Sequence, residues 1–218
     1  MKYFIFSIDD GTIYDKKVVN ILNSYHIHAT FNLNSGLQDF IWYKDNKPVE
    51  RLDLLANKDI YQGHEVASHS LTHPYMTMCP DEAIYHEVAD DISNLKDIFN
   101  RSITTFAFPF EDYDERCINI IKNIYPISII RVSQIDTSFR FPSDPYHIKI
   151  TSWDVDDALS RVVDFINDDN AELFVFVAHS YDFEFANSYG KLKKLCQIIT
   201  GDKNIKIITM KELNDIRL

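Results

Sequence analysis

At 218 residues and 45% apolar composition the chain can bury a sizeable core without disulfide or metal staples. A formal net charge of −11, carried by scattered acidic residues, argues against nucleic acid, which needs a basic face, and against a polyanionic substrate. Three cysteines, Cys79, Cys117 and Cys196, are far apart, odd in number and form no Cys-x-x-Cys pair, so a disulfide framework or cysteine zinc site is not expected and a reducing compartment fits.

The first expected strand, residues 3–8, runs into Asp9-Asp10 and is too short for the apolar segment of a signal peptide. No apolar run approaches a membrane span, so no membrane insertion and a cytoplasmic location are expected. A helix over 15–25 and a strand over 29–33 come next, then a helix over 52–61 and a strand over 65–68. A long helix over 80–99 opens with Pro80-Asp81-Glu82, a proline and acids in the first turn. Strand 104–108, helix 114–123 and strands 127–132 and 147–151 follow. Helix 156–167, strand 173–178, helix 188–200 and strand 205–209 complete the chain. With no linker, repeat or low-complexity tract, one α/β domain over 1–218 is expected, a barrel or a doubly wound sheet; the pattern alone does not choose.

Both folds build their sites at the carboxyl ends of strands. Asp9 and Asp10, His69 and His73, and His179 each follow such an end. Adjacent carboxylates repel unless a cation is near, and Gly11 offers a turn that brings both into one pocket; an Asp-Asp-Gly surface turn is the plainer alternative. Histidines four apart share a face of a helical turn, and two of them plus one carboxylate leave open positions on a metal. His179 closes an apolar strand on the same rim and is a candidate general acid. His26, His28, His64, His86 and His147 are read as packing or surface residues.

These motifs, in this order, resemble the polysaccharide deacetylases, carbohydrate esterase family four. The resemblance rests on the strand ending Asp9-Asp10-Gly11, Ala29-Thr30-Phe31, Gly63-His64-Glu65 leading to His69-Ser70-Leu71-Thr72-His73, Phe108-Pro109-Phe110, and Val177-Ala178-His179. It implies a distorted (β/α) barrel of about seven parallel strands, forming a catalytic domain over 1–218. It implies one divalent metal on Asp10, His69 and His73, with Zn the first choice and Co, Ni, Mn or Fe as alternatives. It further implies Asp9 as general base, His179 as general acid, and the Phe110 backbone N–H in an oxyanion hole. Trp153, Val177 and Pro109 are expected around the substrate pocket. The implied reaction is hydrolysis of an N-acetyl group on an amino sugar, with an N-acetylated sugar or oligosaccharide as the bound partner. A ureide, imide or formamide hydrolase and a non-catalytic carbohydrate-binding protein are the alternatives. Oligomeric state is not readable.

Two positions depart from the family pattern. Ala107 stands where the family often has the arginine that orients the base; Arg131 is the first candidate replacement and Lys149 the second. The family's acid-steadying aspartate precedes a tryptophan, whereas here Thr151-Ser152-Trp153-Asp154 puts the acid after it, leaving Asp154 as a candidate partner for His179 with helix-start capping as its plainer role.

Overall fold

The computed structural model of the chain describes residues 1–110 and 112–216. β1 (Lys2–Asp9) is its central strand, and its buried residues run to the last position. Then come α1 (Asp15–Ser24), β2 (Thr30–Leu33), a hairpin of β3 (Ile41–Lys44) and β4 (Lys47–Glu50), α2 (Leu54–Asn57) and β5 (Glu65–Ser68). The next are α3 (Asp81–Phe99), β6 (Thr105–Ala107), α4 (Glu115–Ile121), β7 (Ile129–Ile135), β8 (Ile148–Ile150) and α5 (Val155–Asn167). β9 (Leu173–His179), α6 (Ser180–Phe185), α7 (Tyr189–Gly201), β10 (Ile205–Ile207) and α8 (Leu213–Ile216) follow.

Neighbouring parallel strands run β1-β2-β5-β6-β7-β8, and β9 returns to the other edge of β1, with Tyr3–Asp9 in register with Leu173–His179. A parallel bridge from Ser152 to Phe176 joins the end of β8 to β9 and brings the sheet to a nearly closed barrel of seven parallel strands. β10 is the eighth strand of the sheet, pairing with the first residues of β1, while β2 pairs with Ser7–Asp9. The expected barrel is therefore the fold, and connections through helices place the strand ends on one rim.

Side-chain alternation builds two layers. Even-numbered Phe4, Phe6, Ile8, Phe174 and Phe176 face the helices, where α1 buries Val18, Val19, Ile21 and Leu22. Odd-numbered Ile5, Leu173, Val175 and Val177 meet Ile129, Ile148 and Ile150 inside the barrel. Full burial of each such side chain stabilises by roughly 1.5–3 kcal/mol. Across β2, β5 and β6 the half-buried Glu65 accepts from the buried Thr30 Oγ1 at 2.7 Å and Thr105 Oγ1 at 2.6 Å.

The expected strands all form, with ends shifted by a few residues. The helix expected over 52–61 is split into α2 and a 3-10 turn at Lys58–Tyr61, and the β3–β4 hairpin, α6 and α8 were unforeseen. The hairpin turns through Asp45 and Asn46, both at positive φ (50° and 61°), the left-handed pair that a tight turn between twisted strands requires.

A buried carboxyl ties the two strands that carry most of the site. Asp15, wholly buried, accepts from Ser180 Oγ at 2.5 Å and Tyr61 Oη at 2.7 Å, and Ser180 Oγ lies 2.7 Å from Thr12 Oγ1. Burial raises its pKa from 3.8 to about 7 against those hydrogen bonds. Between about pH 4 and 7 the folded chain therefore keeps a proton that the unfolded chain has lost, so this contribution to stability is complete below pH 4 and lost as pH rises through 7. Asp91, raised to about 7 by burial, acts in the same direction. The melting temperature of the metal-free protein relative to that of Asp15→Asn is expected to fall as pH rises from 4 through 7; a difference that does not change with pH would refute the assignment.

Candidate active site

In a regular strand Asp9 and Asp10 would point to opposite faces. Asp10 instead takes φ 86° and Gly11 φ 66°, so the turn begins one residue earlier than the glycine alone would place it, and both carboxylates line one cleft. A side chain at Gly11 would meet Leu33 Cδ2 at 3.0 Å as well as an unfavourable φ. Both acids are nearly inaccessible, at 2% and 4% exposure.

His69 follows β5, and His73 follows a turn in which Ser70 Oγ accepts from its backbone N–H at 3.0 Å. His69 Nδ1 lies 2.8 Å from the Ala107 carbonyl oxygen. A carbonyl only accepts, so Nδ1 carries the proton and Nε2 offers a lone pair. Burial pushes the His69 pKa down to about 3 and lowers that of His73, which keeps both rings neutral, as metal ligands must be. Asp10 Oδ1 lies 3.4 Å from His73 Nε2 and 3.9 Å from His69 Nε2. Vertices of a tetrahedron with bonds of about 2.1 Å are about 3.4 Å apart, so the three groups fit one divalent ion with little movement. The orphaned state of Asp10 Oδ1, buried without a hydrogen-bond partner, agrees with that use.

Asp9 accepts from Asn32 Nδ2 at 2.7 Å and from Arg131 Nη2 at 2.8 Å. Ala107 and Arg131 are directly paired across β6 and β7, so the small residue and the long one share one level of the barrel. A guanidinium thus reaches Asp9 from the neighbouring strand. Burial, the largest influence, opposes the charged form of Asp9, but Arg131, His69 and His179 together outweigh it and the pKa stays below the usual carboxylate value. Lys149 does not reach the site; its nearest carboxylate is Asp136 at 4.0 Å.

His179, in register with Asp9, lies with Nε2 3.9 Å from Asp10 Oδ2. Its Nδ1 lies 3.1 Å from Asp182 Oδ2, and Lys44 Nζ, from the hairpin, donates to Asp182 Oδ1 at 2.6 Å. The candidate partner Asp154 takes its plainer role instead: it caps α5, accepting from the Asp156 and Asp157 N–H groups, because an acid following Trp153 falls at the helix start. Burial works against protonated His179, but Asp182, Asp10 and Asp9 raise its pKa overall. Asp182→Ala is expected to lower the pKa of His179, read by NMR titration in the metal-free protein, and to cut turnover about tenfold or more. An unmoved titration would remove Asp182 from this role.

These groups open onto a cleft of about 780 Å³ whose walls include Phe40, Trp42, Tyr75, Phe110, Trp153 and Tyr181. Phe110, at φ 54°, stacks on Tyr75 at 4.1 Å and meets the His73 ring edge-on at 4.4 Å. Tyr181 stacks on His179 at 5.0 Å. Trp153 lines the cleft, but Val177 and Pro109 do not. Val177 lies two residues before His179 on β9 and is sealed in the barrel interior, where Trp153 packs on the same cluster; Pro109 is buried. The remaining histidines lie elsewhere; His64 Nδ1, for instance, accepts from the Ala29 N–H at 3.1 Å. Sequence reasoning missed Asn32, Asn34, Arg51, Lys44 and Asp182. Only Asp182, three residues beyond His179, left a readable spacing.

A parallel barrel whose rim carries two carboxylates, a pair of neutral imidazoles and a separate cationic-leaning imidazole has the parts of a metal-assisted hydrolase. Residues 1–125 match the family model for polysaccharide deacetylases, and the chain belongs to that family, carbohydrate esterase family four. It is 24% identical over 145 residues to chitin deacetylase 1 of Cryptococcus neoformans, matching 65% of this chain and only 28% of that protein. Its fold is similar to the family 4 acetyl xylan esterase of Clostridium thermocellum, solved with a cobalt ion (TM-score 0.68, 15% identity, 99% of this chain and 92% of that one). It is also similar to the peptidoglycan deacetylase PdaC of Bacillus subtilis (TM-score 0.63, 15% identity, 99% and 91%).

Proposed function

We propose that the protein removes N-acetyl groups from amino sugars of an oligosaccharide or polysaccharide, using one divalent metal, Zn by first choice, on Asp10, His69 and His73. The observation that carries this reading is the placement of His179, with its Asp182 partner, on the strand paired beside Asp9, both side chains lining one cleft. An amide releases an amine, a poor leaving group until it is protonated, and a histidine whose pKa is raised can supply that proton. An acetate ester has less need of it.

A bound divalent ion supplies Lewis-acid polarisation of the acetyl carbonyl and a lowered pKa for the attacking water. Asp9, held by Asn32 and Arg131, accepts the proton of that water as it attacks. The Phe110 N–H, at the rim of the same cleft, donates to the oxyanion that forms on the acetyl carbon. His179 passes its Nε2 proton to the departing nitrogen, while Asp182 holds the ring through Nδ1. Trp153 gives the acetyl methyl an apolar wall, and the other aromatic rings give sugar faces a surface to stack on.

The test is acetate release from N-acetylglucosamine oligomers, peptidoglycan fragments, acetylated xylan and small ureides, before and after chelation. Release from an N-acetylated sugar, lost by 100-fold or more on metal removal and restored by Zn or Co, is the expected result. Turnover of xylan acetate alone would assign ester hydrolysis instead, ureide turnover alone would assign the second reading, and no turnover despite bound metal would assign a binding role.

A further inference from the structure

Arg51 has no part in the chemistry above, yet it is 5% exposed and lines the same cleft. It stands just after β4, where its N–H donates to the Phe40 carbonyl at 2.8 Å and its backbone bridges to Thr12. Its guanidinium lies 4.6 Å from the centre of the Trp42 ring. From there Nη1 donates to the backbone carbonyl of Asp10 and, at 2.6 Å, to Asn34 Oδ1. Asn34 Nδ2 in turn donates to the carbonyls of His69 and, at 2.8 Å, Ser70. One chain of hydrogen bonds therefore runs from the turn bearing Asp10 to the turn bearing His69 and His73.

From this geometry we infer that Arg51, acting with Asn34, is a positioning residue that sets the affinity of the site for its divalent metal. The inference rests on the reading of Asp10, His69 and His73 as the metal ligands. Asp10 at φ 86°, Ser70 at φ 66° and His73 at φ 57° hold backbone conformations that residues with side chains keep only when their surroundings enforce them. The Arg51–Asn34 clamp contacts the first two of these turns through their carbonyls. Arg51 Nη2 also lies 3.1 Å from Asp10 Oδ1, but that oxygen accepts no hydrogen bond, so its lone pairs remain available to an ion. The guanidinium thus favours the ionised carboxylate and fixes the turn without occupying the ligand direction. Its positive charge opposes the ion's, and the sign of the measured effect separates orientation from repulsion.

Zn affinity of the purified metal-free protein is measured by competition with a chromophoric chelator at one pH, for wild type, Arg51→Met, Arg51→Lys and Asn34→Ala. Loss of an outer-shell partner typically costs about 10- to 100-fold in metal affinity, and that weakening is expected in all three variants. Lysine does not rescue, because a single ammonium cannot reproduce the planar fork that spans the Asp10 carbonyl and Asn34. Melting of the metal-free proteins is recorded beside it. A purely structural role would lower the melting temperature and leave the affinity of the folded protein unchanged, which would overturn the inference, as would tighter binding in Arg51→Met. Should Arg51→Met fail to fold, Asn34→Ala, which cuts the same clamp and keeps the guanidinium, decides by the same criterion. Absence of Zn binding in the wild type would instead reject the metal site itself.

Discussion

Asp9→Asn is expected to melt cooperatively and to lose about 10²- to 10⁴-fold in turnover, the usual contribution of a positioned acid or base. The substitution is nearly isosteric. The new amide oxygen can still accept from Arg131, and its NH2 can meet Asn32 Oδ1, which is buried without a partner, if the Asn32 amide turns over. What is lost is the ability to take a proton and the charge opposite Arg131. Loss of that charge leaves a buried guanidinium uncompensated, so a fall in stability on the order of 3 kcal/mol should accompany the loss of turnover. His179→Ala should match the kinetic loss with a smaller effect on melting, since that side chain is 26% exposed and packs at the rim. Comparison of turnover and melting for both variants tests the pair; near-normal turnover in either one removes it from its role.

Arg131→Ala is expected to cost about 3–5 kcal/mol in stability, the range for removing one partner of a buried ion pair. It should also raise the acidic limb of the pH–rate profile. Arg131 is the largest influence lowering the Asp9 pKa, so without it the base holds its proton to higher pH and activity at a given acidic pH falls. The register pairing of Ala107 with Arg131 supplies a sharper version of the experiment. The double variant Ala107→Arg with Arg131→Ala returns a guanidinium to the level of Asp9 from the strand beside it. It should recover part of both stability and profile, whereas Arg131→Lys, which offers a point charge in place of the fork, should recover less. An acidic limb that stays in place in Arg131→Ala would show that Asp9 works without a cationic partner.

What was legible in the sequence was what depends on local pattern. Apolar runs ending in Asp9-Asp10, before His69 and at His179 marked strand ends, and a parallel α/β fold gathers strand ends on one rim. What stayed hidden depends on register and on contacts far apart in the chain. Arg131 is legible as the replacement for an arginine at Ala107, and it does reach Asp9, but the direct pairing of the two residues, 24 apart in the chain, is not. Arg51 is 41 residues from Asp10 and follows a strand that contains Pro48, a residue uncommon inside strands, although Asp45-Asn46 is a turn signal. Asp154 caps its helix, as the plainer reading of that position has it, whereas the partner of His179 is Asp182, whose spacing of three from the histidine is the one local signal for it.

The barrel's seven strands are not joined equally. β1 and β9 share seven register positions, whereas β8 meets β9 through a single bridge at Ser152, where the Thr151 and Ser152 N–H groups donate to the Val175 carbonyl and the Val177 N–H to the Ser152 carbonyl. Local opening is cheapest where the fewest backbone bonds must break. Asp9 and His179 therefore sit on the most firmly laced pair of strands, the last part of the sheet to open, while the cleft wall at Trp153 stands beside a lighter seam.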